Sequence, residues 1–293
     1  MDNLRASLLM TFSMLCFAVT DVFIKLLSDA VPAGQIVSLM GLGGAAVFLL
    51  WFAVRRQPPF PPDAGKPMVL VRTAFEALGT ATFVSSLALV PLTTASAVIQ
   101  ATPLVVALGG VLFLGQSVGW RRWAAIFAGL LGVFLILRPG LDGFEPATLL
   151  AVIGMICLAA RDLVTRALDS PITAPQLSIL AFLSLIPTGL IVCRVAGTPL
   201  VWLSIPQLGT VILMVLVVLC AYLSIVAATR IGDVAVTSSF RYSRMVFALI
   251  LGALVFGERP DAPTLLGAAI VITAGLYALL RETRASQQVT SKV

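Results

Sequence analysis

The sequence predicts an all-α integral membrane protein whose ten transmembrane helices form two inverted five-helix repeats. Three observations carry that prediction. Apolar residues, Gly excluded, make up 59% of the chain and charged residues 11%, with a mean hydropathy of +1.07. An ordinary globular chain is about half apolar and about a quarter charged. Ten mostly apolar runs follow one another, close to the roughly 20 residues a helix needs to cross a bilayer. Finally, SMLCFAVTDVFIKLLSD at 13–29 is answered by GMICLAARDLVTRALDS at 154–170, so that Met14, Cys16, Ala18 and Asp21 recur as Met155, Cys157, Ala159 and Asp162. A soluble chain of 293 residues buries a large core, but it cannot hide this much apolar surface from water.

The runs cover 4–27, 33–54, 67–89, 93–114, 123–137, 147–166, 175–195, 207–229, 234–256 and 264–280. The first has no small-x-small cleavage site and the length of a span, so it is expected to stay as an anchor rather than leave as a signal peptide. Only VPLTT separates the third from the fourth, but together they are too long for one crossing, so a helical hairpin turning at Pro91 is expected. The closing SQQVTSKV reads as a short disordered tail.

Orientation follows from Lys and Arg in the loops. With the N-terminus inside, Arg5, Arg55, Arg56, Lys66, Arg121, Arg122, Arg166, Arg230, Arg281, Arg284 and Lys292 are cytoplasmic, against Lys25, Arg138, Arg194 and Arg259 outside. Arg72, Arg161, Arg241 and Arg244 lie within spans. Both ends are therefore expected in the cytoplasm.

The repeat extends beyond its opening pair. LFLGQ at 112–116 answers LVFGE at 254–258, and GVFLILR at 132–138 answers GLYALLR at 275–281. This divides the chain into a first five-helix repeat at 1–140, a second at 141–281 and a cytoplasmic tail at 282–293. Five spans per half is an odd number, which turns the second half upside down, a plan common among secondary transporters.

Composition also excludes functions. Cys16, Cys157, Cys193 and Cys220 form no C-x-x-C pair and His is absent, which speaks against a disulfide framework and a zinc site. The net charge of +6 is scattered among apolar runs rather than massed as in nucleic-acid binders. No Walker motif supports ATP use, and neither paired carboxylates for Mg²⁺ nor a His/Cys nucleophile supports an intramembrane enzyme. No cofactor or metal is expected. Nothing in the sequence fixes the oligomeric state, and a monomer suffices.

The segments ASAVIQATPLVVALGGVLFLGQ at 95–116 and FRYSRMVFALILGALVFGERPDAPTLLGAAIVITAGLYALL at 240–280 carry a family likeness. Each half ends in a Gly-(Gln/Glu) turn followed by a final helix of small residues. The chain resembles the drug/metabolite transporter superfamily, in the branch built from two EamA-type repeats, and its overall look is nearest to amino-acid exporters of the YddG type. The resemblance implies a carrier of the bacterial inner membrane with a central cavity lined by the third, fourth, eighth and ninth spans, helped by the first and sixth, with the last helix of each half as scaffold. It departs at Pro103, whose counterpart is Met245, so the two halves are not expected to kink alike.

Charge in hydrocarbon has to be paired or face water. Asp21 and Lys25 stand one turn apart, as do Asp162 and Arg166, so each pair is expected to neutralise itself, as a packing element or as one of two symmetric gates. In the third span Glu76, Thr80 and Phe83 share a face with Arg72 and Gly79. Glu76 either lines a wet cavity or pairs with Arg72, which is placed to snorkel. Ser96, Gln100 and Pro103 share a face of the fourth span, and their partners in the ninth are Ser238, Tyr242 and Met245. Pro103 is expected to bend its helix. Arg241 and Arg244 lack an acidic residue within a turn, so their partners are either Glu76 or Asp162 across the cavity or an anionic group on the cargo. Phe83, Tyr222, Tyr242 and Met245 would supply an accommodating apolar wall. Ala125/Gly129, Ala128/Gly132 and Ala248/Gly252 are close-packing positions.

The function expected from these residues is export of amino acids, broadly including aromatic and other apolar ones, or of similar small zwitterions. Because each embedded carboxylate neighbours a base, the export is expected to be gradient-driven rather than proton-coupled. The alternatives are import or exchange of a nucleotide-like or methyl-donor metabolite, and drug efflux.

Overall fold

The computed structural model describes residues 2–115, 119–138, 145–169, 172–231 and 239–290, and among these residues there is no strand. The helices are α1 (Asp2–Ser28), α2 (Ala33–Arg55), α3 (Pro67–Leu89), α4 (Leu92–Ile99), α5 (Thr102–Leu114), α6 (Trp120–Leu137), α7 (Thr148–Ala167), α8 (Ala174–Val195), α9 (Ile205–Ile231), α10 (Ser243–Phe256) and α11 (Ala262–Thr290). Seven stretches are long and apolar enough to cross a membrane, α4 and α5 together counting as one. Shorter apolar helices at Trp123–Leu137 and Ala262–Ala278 add the fifth and tenth spans, and α10 is the described part of the ninth. Large apolar side chains such as Leu50, Phe127, Leu131, Phe134, Leu216 and Leu254 stand exposed on the outside, as hydrocarbon requires and water forbids.

Helix pairing carries the inverted repeat. The principal contacts are α1 with α9, α2 with α8, α3 with α7, and α6 with α11, with α10 seated on α4. Numbered within the repeats, the second helix meets the second, the fifth the fifth, the fourth the fourth, and the first meets the third both ways round. Only a two-fold relation between the halves gives that pattern. The fold is ten helices in two inverted repeats.

Small residues let these pairs approach. A Cβ on Gly34 would collide with the carbonyl oxygen of Gly189, and one on Gly189 with that of Gly34. At the α6–α11 crossing a Cβ on Gly132 would stand 2.8 Å from the Gly267 oxygen, and one on Gly267 2.6 Å from the Gly132 oxygen. Backbone contact of this kind replaces the hydrophobic drive that is absent between helices in lipid.

The fourth span is interrupted at Gln100–Ala101, two residues before Pro103. Pro103 has no N–H for the carbonyl of Ile99, four residues back, and the Thr102 hydroxyl donates to that oxygen instead. The ninth span, which has no proline here, carries a 3₁₀ turn at Phe240–Tyr242, and the Ser243 hydroxyl donates to the Phe240 carbonyl at 2.7 Å. Ser243–Phe240 is one residue out of register with Thr102–Ile99, so the two halves break near the same level. This corrects the expectation that they would not kink alike: a hydroxyl bonded to the carbonyl three residues back marks the break in both halves, with or without a proline.

A second correction concerns the C-terminus. The segment expected as tail from 282 is helical to Thr290, because RETRASQQVT contains no Gly or Pro and opens with good helix formers.

Arg138, at the C-terminal end of α6, bonds Asp261 and, at 3.2 Å, Thr264 at the start of α11. Asp261 also accepts from the Thr264 backbone N–H at 3.1 Å, capping the helix. These bonds hold its carboxyl down at about 2, against roughly 3.9 in an unfolded chain. The folded value is depressed, so the stabilisation is present above about pH 4 and is lost as pH falls towards 2. Thermal scans across that window should show a slope that Asp261→Asn flattens.

Gly189→Ala should lower thermal stability in detergent by about 1–3 kcal/mol through overpacking at the α2–α8 crossing. Gly65→Ala, where a Cβ meets nothing within 4 Å, serves as the unchanged reference.

Candidate functional site

α1, α3, α7 and the start of the ninth span bring the interior charges together. Arg161 of α7 donates from Nη1 to both Glu76 carboxylate oxygens of α3, each at 2.9 Å. Its Nη2 lies 2.9 Å from Asp162. Arg72 reaches Glu76 at 3.0 Å and is itself buried, donating to the Leu177 carbonyl at 3.3 Å and the Thr165 hydroxyl at 3.4 Å. Arg72 therefore ties α3 to α7 and α8 and does not snorkel. Glu76 sits between two guanidinium groups.

Asp21 is buried and takes both its bonds from Arg244, at 2.6 and 3.2 Å. The Arg244 guanidinium also lies between two rings, 5.4 Å from Phe17 and 5.6 Å from Phe83. This pair joins α1 to α10 across the two repeats.

The expected local pairs do not form. Lys25 turns from Asp21 and donates to the Val90 carbonyl at 2.6 Å and the Leu87 carbonyl at 3.4 Å, at the C-terminal end of α3. Glu258, 4.0 Å from Lys25, accepts from the Leu92 and Thr93 backbone N–H groups at 2.6 and 3.0 Å, at the N-terminal end of α4. A cation at the negative end of one helix and an anion at the positive end of the next both follow the helix dipole. The Pro91 hairpin is thus clasped by α1 and by Glu258, two residues past α10. Asp162 turns to its neighbour Arg161, and Arg166 is exposed at the end of α7. The spacing of one turn was insufficient because helix ends and a second guanidinium offered better partners.

Other expected residues divide into two sets. Thr80 is half-buried one turn beyond Glu76, and Gln100, at the helix break, donates to the Arg241 carbonyl at 3.3 Å. Tyr222 is hydrogen-bonded to Ser178 at 2.9 Å, stands edge-on to Phe48, and lies within electrostatic reach of Arg161. Against expectation, Ser96 is fully buried in packing, and Tyr242 is buried with its ring against Gly275 of α11. Ser96 does not join the charges, Tyr242 lies within electrostatic reach of Arg241 but is packed away from Gln100, and no polar belt pairs the two. Phe83 is buried beneath Arg244 rather than forming open wall. Ser238 and Gln116 lie outside the described residues.

Arg241 differs from the other interior cations. It is exposed, yet it stands within electrostatic reach of Asp162, Arg161 and Arg244, which belong to α7 and α10. Among the described residues its guanidinium has no hydrogen-bond partner. Asp162, about a third exposed, is the carboxylate it faces. Sequence reasoning missed Arg161 as the partner of Glu76 and Glu258 as a helix cap. The signals were a cation without counterpart in the first repeat, where Thr20 stands, and the repeated Gly-(Gln/Glu) turn. Among the described residues no cluster of His, Cys, Asp and Glu is arranged to hold a metal ion.

The model of the EamA-like transporter family matches this chain twice, over residues 4–138 and 146–280. The chain belongs to the EamA-like transporter family. It is 31% identical over 218 residues to a riboflavin transporter of Rhizobium johnstonii, covering 73% of this chain and 70% of the relative. It is 28% identical over 211 residues to an S-adenosylmethionine uptake transporter of Rickettsia bellii, covering 71% and 70%. It is 28% identical over 284 residues to the pseudopaline exporter of Pseudomonas aeruginosa, covering 94% and 96%. One solved crystal structure shares the fold with a TM-score of 0.64 at 19% identity, covering 96% of this chain and 98% of that one. This EamA-like chain is a multi-pass membrane transporter of a small molecule. Amino-acid export is not among the names of these relatives.

Arg244→Ala would leave Asp21 buried without its partner, a loss of about 3–5 kcal/mol. The double variant Asp21→Asn/Arg244→Ala should regain most of it in thermal unfolding in detergent, since no buried charge is then stranded.

Proposed function

We propose that this transporter moves a small zwitterionic metabolite carrying an α-amino-acid group across a bacterial inner membrane by alternating access, both chain ends facing the cytoplasm. The observation that carries the reading is the facing of Arg241 and Asp162. Among the described residues the Arg241 guanidinium has no hydrogen-bond partner, and the part-exposed Asp162 carboxylate lies within its electrostatic reach. A cargo carboxylate fits the guanidinium fork, and a cargo ammonium fits Asp162. Thr80 and Gln100 add neutral polar groups beside them. Glu76 and Asp21 are already satisfied by arginines, which makes them structural parts of the wall.

The relatives' names support a cargo larger than a free amino acid. S-adenosylmethionine has an amino-acid head joined to a nucleoside, and its uptake by related carriers favours the methyl-donor alternative. Export of free amino acids is the second reading, and the same two charges would recognise their head group. The two ends of the fold differ in a way that suits alternating access: Lys25 and Glu258 clasp the α3–α4 hairpin at one end, while Arg166 is exposed at the other. With its embedded acids paired to guanidinium groups, the cycle is driven by the gradient of the cargo.

Counterflow in proteoliposomes tests the reading with labelled S-adenosylmethionine, methionine, phenylalanine and riboflavin. Flux is expected for compounds with the amino-acid group, and Arg241→Gln should cut it at least about tenfold, the worth of a charge-assisted bond. Riboflavin flux that is faster than any zwitterion's and indifferent to Arg241→Gln would overturn the assignment.

A further inference from the structure

We propose that the crevice between α6 and α11, at the arginine-bearing end of the fold, binds an anionic phospholipid. Arg121 would hold the phosphate, and the floor of Ala124, Ala128 and Thr273 would take an acyl chain. The crevice has a volume of about 370 Å³, and Trp120 and Tyr277 also line it. Trp120 is 74% exposed and Tyr277 44% exposed, so the crevice opens outward, where the surrounding surface is the apolar side of Phe127 and Leu131. Aromatic side chains at this level mark the membrane interface. The Arg121 guanidinium lies 5.3 Å from the Trp120 ring centroid, held beside the mouth.

Charge identifies the occupant. The first turn of α6 contains Arg121 and Arg122 and no acidic residue. Cations there oppose the positive end of the helix dipole, so the arrangement calls for an anion. The other repeat contains one. The residue preceding α11, equivalent to Gly119 before α6, is Asp261, which caps its helix and binds Arg138. Gly119 has no side chain to do this, and the sequence sets Arg281 in the position of Arg138. Among the described residues no acid stands at the start of α6 as Asp261 does at the start of α11. A basic pocket between spanning helices at the cytoplasmic interface is where a lipid phosphate supplies it. A second copy of the chain is the poorer occupant, because α6 carries no acidic residue and a symmetric contact here would bring two Arg121 side chains together. The inference rests on the two-fold fold and the position of the arginines and is independent of the cargo assignment.

Native mass spectrometry and thermal unfolding of the full chain in detergent test it, with phosphatidylglycerol, phosphatidylcholine and inorganic phosphate as probes. One phosphatidylglycerol should be retained and should raise the Tm, whereas phosphatidylcholine and inorganic phosphate should not. Arg121→Gln should weaken phosphatidylglycerol binding about tenfold, and Arg121→Lys should weaken it less. Ala128→Phe, which fills the groove without touching charge, should abolish retention while the purified protein stays monodisperse. Equal retention of the two lipids, unchanged binding by Arg121→Gln, or stabilisation by inorganic phosphate alone would overturn the proposal. So would a dimer cross-linked through Thr273→Cys that excludes lipid.

Discussion

A charge in hydrocarbon has no water to solvate it, and the interior of this carrier is organised around that constraint. Each embedded carboxylate among the described residues is met by a guanidinium, and two of the pairs run between repeats. Asp21 of α1 takes Arg244 of α10, and Glu76 of α3 takes Arg161 of α7. Had the acids been neutralised within their own helices, as a spacing of one turn allows, the charge would be cancelled but the helices left unconnected. Pairing across the repeats solvates the acid and fixes one half of the molecule against the other. Removing one partner of such a pair is therefore expected to destabilise far more than the pair contributes, because what remains is a bare charge in a dry place.

Helix ends are the second place where this constraint acts. Four backbone groups at each end of a helix have no partner within it, and lipid supplies none. Lys25 and Glu258 serve the two ends that meet at Pro91. Asp261 serves the start of α11. Thr102 and Ser243 repair the carbonyls at the two helix breaks. Charged side chains that resemble isolated ion pairs in the sequence thus act on the backbone as well as on each other.

Much of the fold was legible because a bilayer reduces it to one dimension: apolar runs of the right length, a repeat of five, and loops of unequal charge. The site was less so. Reading one face along the fourth and ninth spans assumes a continuous helix, and the breaks at Gln100–Ala101 and Phe240–Tyr242 shift the register by part of a turn. Residues placed together by an ideal helix are thereby separated, with Ser96 and Tyr242 going into packing while Gln100 stays half-buried and Arg241 exposed. Pairing by spacing failed at Lys25 and Arg166 for a related reason, since one helix's sequence does not reveal which other helix ends nearby. Arg161 was hidden behind the repeated Asp162 and Arg166. The differences between the repeats, rather than their likenesses, pointed to the interior chemistry.

Those differences bear on how a symmetric fold moves a cargo. Asp21 and Asp162 are equivalent residues in the two repeats, yet Asp21 is dry and bound to Arg244, whereas Asp162 is part-exposed and shares Arg161 with Glu76. The first repeat has Ile99 and Thr102 where the second has Arg241 and Arg244, so both of these cations come from the ninth span. Arg244 is committed to Asp21, which leaves Arg241, one turn earlier, to face Asp162. On the proposed reading a cargo carboxylate enters between them and takes the guanidinium, and its ammonium takes the acid. On that reading the cargo bridges Arg241 and Asp162. Its binding energy favours whichever arrangement brings α7 and the ninth span close around it, a coupling that two identical repeats, each neutralised within itself, would not provide.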